Sequence, residues 1–99
     1  MDRLKINCEN ITKDEWNRFT EGIKHLEKIK EVEISGDILN PKLIGFVYNF
    51  VSEFKRIFPD KKVIVHTKYD LNNLRMQKDV FSKRAQKMID NFVDEVIVI

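Results

Sequence analysis

Cys8 and His66 are the residues in this chain whose types suit thiolate chemistry: each stands at the end of an alternating apolar segment, Arg3 to Cys8 and Lys62 to Thr67. A thiol with an imidazole in reach is the minimum for such a nucleophile, yet no third group that would orient the base is recognisable. A second set is small and polar. Ser35, Gly36 and Asp37 close one alternation while His66 and Thr67 close another, and together they could meet a small ligand or nucleotide. A third set is basic: Arg75, Lys78, Lys83, Arg84 and Lys87 could follow phosphates. Asp79 and Asp90 interrupt that run and no aromatic residue stands out as a stacking platform, so a solvated helix face is preferred over nucleic-acid binding. There is no Walker loop, GxGxxG string, metal-spaced histidine pair or nucleophile elbow.

The elements that must carry these residues can be read from hydrophobic period. Leu4, Ile6 and Cys8 alternate with Arg3, Lys5 and Asn7, and Val32 and Ile34 alternate with Glu31, Glu33 and Ser35, which predicts two half-buried strands. Val63, Ile64 and Val65 in a row predict a third strand, apolar on both faces, and Glu95 to Ile99 a fourth. Between the first two, Thr12 as N-cap with Glu15 three residues on reads as a capping box, and Ile11 with Trp16 as a hydrophobic staple. The stripe Trp16, Phe19, Ile23 and Leu26 extends that helix to about Lys30. Asn40 and Pro41 open a second helix with a broad apolar face from Leu43 to Phe58, stopped by Pro59. Asp70 can cap a helical stretch to about Val93, with a break near Asp79 left open.

The expected fold is a single α/β domain over residues 1–99: a four-stranded parallel sheet, β(αβ)3, with right-handed crossovers placing the helices mainly on one face. The helix-free face would pair Arg3 and Lys5 with Glu31 and Glu33 and turn apolar towards Ile64, Ile97 and Ile99, an uncovered edge suited to contact. Ninety-nine residues suffice for one core. With 18 Lys and Arg against 16 Asp and Glu, no strong field demands nucleic acid. One cysteine cannot form an internal disulfide, the opening MDRLKINCEN has no apolar signal region, and no apolar run approaches a membrane span, so a cytoplasmic protein is expected.

The run Ile34, Ser35, Gly36, Asp37, Ile38, Leu39, Asn40, Pro41, the triplet Thr67, Lys68, Tyr69, and the element order over residues 3 to 99 resemble the radical S-adenosylmethionine activating enzymes, especially the activase of anaerobic ribonucleotide reductase. The resemblance implies a partial TIM-barrel-like fold and equates Asp37 with the acid that meets the amino group of S-adenosylmethionine. That family binds a four-iron cluster through CxxxCxxC, whereas this chain has Cys8 alone before its first helix. One thiolate cannot hold such a cluster, so no cofactor is expected and the resemblance implies the fold without the activity.

The functional expectation is a non-catalytic protein-interaction or regulatory module, such as a phage or mobile-element inhibitor of a host protein. It would contact another protein or a second copy of itself, with a homodimer as the expected assembly. The alternatives are a small-ligand or nucleotide binder at the Ser35 to Asp37 rim and a nucleic-acid binder using the third helix.

Overall fold

The computed structural model describes residues 3–38, 40–68 and 70–99. Leu39 and Tyr69, which form part of the strings that carry the resemblance, lie outside the described residues. The period-two segments form strands β1 (Arg3–Asn7), β2 (Glu31–Ser35), β3 (Lys62–Thr67) and β4 (Glu95–Val98), paired in parallel in the order β1-β2-β3-β4. Leu4 pairs with Val32 and Val32 with Val63, while Ile6, Ile34, Val65 and Val96 form the next row, so one face of the sheet is a continuous apolar surface. Its central members Val32, Ile34, Val63 and Val65 are fully buried.

Helices α1 (Lys13–Glu21), α2 (Ile44–Ile57), α3 (Leu71–Met76) and α4 (Val80–Phe92) supply the cover. α2 lies between α1 and α4 as their common neighbour, which makes a single helical layer on that apolar face. Trp16, Phe50 and Phe54 are fully buried at its centre, Trp16 edge-on to Phe50 at 5.8 Å and Phe50 stacked on Phe54 at 6.1 Å. Aromatic side chains bury the largest apolar area per residue, so this trio anchors α1 and α2 to one core.

Two helix boundaries differ from the sequence expectation, and the break that the sequence left open near Asp79 is present. The Thr12 capping box forms, with the Glu15 amide donating to Thr12 Oγ1 at 3.2 Å, but α1 stops at Glu21 instead of near Lys30. Gly22, a poor helix former, ends it with its amide on the Arg18 carbonyl, and a short 3-10 turn over Ile23–His25 carries Ile23 into the core. α2 begins at Ile44, because Asn40 caps a preceding turn by accepting from the Lys42 amide at 2.9 Å. The last helical stretch is two helices: Asp70 caps α3 and Asp79 caps α4, the latter through the Ser82 amide at 3.0 Å.

Beyond its ladder with β3, β4 is tied at its start by Asp94. Asp94 Oδ2 accepts from the Val63 amide at 2.8 Å and from Lys55 Nζ at 2.9 Å, and the Asp94 amide donates to the Val63 carbonyl at 2.9 Å. The last strand is thereby fixed to both β3 and α2.

Candidate functional site

The carboxyl ends of four parallel strands meet at one rim, the usual place for ligands in an open α/β sheet. A cleft of about 160 Å³ opens there, lined by Glu9, Gly36, Asp37, His66, Lys68 and Ile99. Three residues singled out from sequence, Gly36, Asp37 and His66, line this cleft. Ser35 is half-buried beside them and pairs in register with Asn7. Thr67 is buried and, alternating with His66, takes the helix side of the sheet with Val65. Glu9 was not singled out, and Lys68 and Ile99, named for other reasons, were not assigned to the rim; each directly follows or ends an expected strand segment, so the strand-end rule alone could have included them.

Gly36 allows the rim to close. Its φ is +94°, and a Cβ there would stand 2.8 Å from Asn7 Oδ1, 3.0 Å from Cys8 Sγ and 3.2 Å from Glu9 Cγ. Asn7 Oδ1 is already the acceptor of the Glu9 amide at 3.0 Å, so the glycine sits directly on the capped turn that follows β1.

Cys8 lies beneath this rim and is fully buried. Burial, reinforced by the negative charges of Glu9 and Asp37, pushes its thiol pKa up to about 11. It is therefore protonated at neutral pH and a poor nucleophile. The Cys8–His66 pairing considered from sequence is not assembled. Cys8 continues the Leu4 and Ile6 side of β1 and packs in the core, whereas His66 alternates with Val65 and Thr67 onto the helix-free face. There its Nε2 lies 3.8 Å from Glu33 Oε1 with no hydrogen-bond partner among the described residues.

On that helix-free face Arg3 bridges Glu31 and Glu33, the latter at 2.8 Å, which neutralises the row across β1 and β2. Ile64 corrects the expectation of an uncovered apolar edge. It points to this face but is only 5% exposed, on an interior strand and in register between Glu33 and Glu95. Ile97 and Ile99 are open, at 36% and 76% exposure, with Val98 between them at 54%.

The basic run does not form one surface. Arg75 makes a two-pronged pair with Asp90, at 2.6 and 3.2 Å, that ties α3 to α4. Lys78 lies in the link between those helices, while Lys83 and Lys87 are exposed on α4. Arg84 instead turns to α2, where its Nη1 would be 3.6 Å from a Cβ on Gly45. It lines, with Lys42, a groove of about 500 Å³ between the start of α2 and α4.

Neither observed set fits an iron–sulfur cluster. The one thiol is buried and protonated, and no group of three His, Cys, Asp or Glu able to hold a metal ion occurs among the described residues. No helix is long and apolar enough to cross a membrane. No family model, curated protein or solved structure matches the chain.

Proposed function

We propose that this chain is a non-catalytic protein-interaction module that associates with a second copy of itself through the β4 edge and the adjoining helix-free face. The observation that carries the reading is the contrast between the two edges of the sheet. β1 presents Arg3 and Lys5, the kind of charge that discourages strand addition, whereas Val96 to Ile99 offer an uncharged, β-branched run with Ile97, Val98 and Ile99 open. An exposed edge without lysine, proline or bulge is a template for another strand, and pairing it with its own copy gives a closed two-fold contact.

Size decides how strong that contact is. Stable interfaces bury about 1,200–2,000 Å². A four-residue strand supplies only part of this, so Ile97 and Ile99 on the helix-free face must join the contact, and the dimer is expected to be concentration-dependent. On this reading the chain is a cluster-less relative of the radical S-adenosylmethionine activating enzymes, kept as a regulator. Light scattering coupled to size exclusion, across a concentration series, tests it. Growth towards dimer mass, abolished by Ile97→Asp with Ile99→Asp, is expected; a monomer at every concentration, unaltered by those substitutions, would end the reading.

Small-ligand binding at the rim is the second reading, favoured by the convergence of Gly36, Asp37 and His66 on one cleft. At about 160 Å³ it falls below the roughly 300–1,000 Å³ of sites for drug-sized ligands, so it suits a fragment of a few heavy atoms and not S-adenosylmethionine itself. Calorimetry with small carboxylates and amines, against S-adenosylmethionine, separates the two sizes of ligand.

A further inference from the structure

We infer that the groove between α2 and α4 is a binding site for a nucleoside phosphate, either free or within a nucleic-acid strand. Its volume of about 500 Å³ lies within the range of small-molecule sites, unlike the rim cleft. Lys42, Gly45, Phe46, Tyr48, Asn49 and Arg84 line it, and no acidic residue does.

Charge is what distinguishes this place on a chain whose overall balance is only +2. Arg3, Arg56 and Arg75 are each held by a carboxylate. Arg84 and Lys42, from opposite walls, have no ion pair among the described residues and face one space. The exposed Arg84 reaches across to the first turn of α2, where its Nη1 lies 3.6 Å from where a Cβ on Gly45 would stand, an ordinary contact distance. A planar fork beside an ammonium group matches the oxygens of a phosphate. The half-buried Phe46 and Tyr48 add aromatic surface, and Asn49 a side-chain amide, which suit a base and ribose better than a bare inorganic anion.

The experiment is titration of the whole chain with adenosine monophosphate, adenosine and inorganic phosphate by calorimetry, and with a fluorescein-labelled oligothymidylate by anisotropy, at low and moderate salt. The expected result is saturable binding of the monophosphate or the oligonucleotide, weakened by salt. Lys42→Glu and Arg84→Glu should each weaken it by about tenfold or more. Preference for the monophosphate identifies the free nucleotide as the source, and preference for the oligonucleotide identifies the strand. Circular dichroism checks folding, and Lys42, in the turn ahead of α2, still reads the site if Arg84→Glu is unfolded. Absence of saturable binding by either probe overturns the inference. So does inorganic phosphate binding as well as the monophosphate, or binding that survives Lys42→Glu but is lost on Lys83→Glu with Lys87→Glu.

Discussion

Replacing Gly36 by alanine should be the most damaging one-carbon change available on the rim. At φ +94° an L-residue is strained, at roughly 1–2 kcal/mol for a left-handed conformation. The added carbon would also meet Asn7 Oδ1 at 2.8 Å and Cys8 Sγ at 3.0 Å. Neither can yield freely: Asn7 caps the turn after β1, and Cys8 is fully buried. Overpacking of this kind costs about 1–3 kcal/mol, so the total is roughly 2–5 kcal/mol. For a domain of this size, each kcal/mol moves Tm by about 4–8 °C, which puts the expected drop at roughly 8–40 °C. Gly45→Ala is the internal comparison, because its Cβ meets only Arg84 Nη1 at the ordinary distance of 3.6 Å and lies inside α2. Alanine there should raise stability by about 0.5–1 kcal/mol, moving Tm upward. Thermal unfolding followed by circular dichroism reads both. A Gly36→Ala protein melting within about 4 °C of the parent would refute the described packing of the rim, since it corresponds to less than about 1 kcal/mol.

Cys8 should resist a thiol reagent at neutral pH until the chain unfolds, because it is buried and protonated. Its pKa of about 11 lies above the ordinary 9.0, so the folded state holds the proton longer, and stability should decline as pH rises from about 9 to 11. Cys8→Ala should remove that slope in denaturant titrations, and an unchanged slope would contradict the burial. At the other end of the scale, burial opposes the Asp94 charge, but hydrogen bonds from Lys55 and the Val63 amide outweigh it and hold the carboxyl below its usual range. The stabilisation is present above the ordinary value of 3.8 and is lost as pH falls through the lower folded value. Asp94→Asn should therefore be less stable than the parent at neutral pH, with the gap closing in acid; a gap independent of pH would argue against the ion pair. Thr12→Ala removes the capping box and should cost about 1 kcal/mol in chemical denaturation, while an unaffected midpoint would mean the first turn of α1 contributes nothing.

Period two made β1 and β2 legible, since Leu4 with Ile6 and Val32 with Ile34 take the covered face, while the apolar run Val63 to Val65 marked β3. Asp70 was legible as a cap, whereas near Asp79 the sequence left a break open, and the structure makes Asp79 the cap of a separate helix. The end of α1 was not, since Ile23 and Leu26 keep the helical spacing of core residues while Gly22 has already broken the helix into a 3-10 turn. Ile64 misled for a different reason. A strand pattern tells which face a residue takes, but not that its strand will lie inside the sheet with neighbours on both sides, as β3 does between β2 and β4. Cys8 and His66 end strands on opposite sides of the sheet, a fact that strand ends alone hide and strand parity reveals. Lys42 and Arg84 are far apart along the chain and meet only because α2 packs on α4, so no local signal could have paired them.

Because the strands lie side by side in the order in which they are synthesised, each new β-unit closes onto a neighbour already made, across a single crossover. Entropy of closure rises only slowly with loop length and is lowest for such consecutive pairings, so assembly can proceed stepwise from the amino terminus during translation. β4, secured by Asp94, is an edge strand of only four residues that can detach without disturbing the pairing among the other three. Amide exchange graded from slow at the centre to fast along Glu95–Val98 would be the signature of that one-edge peeling.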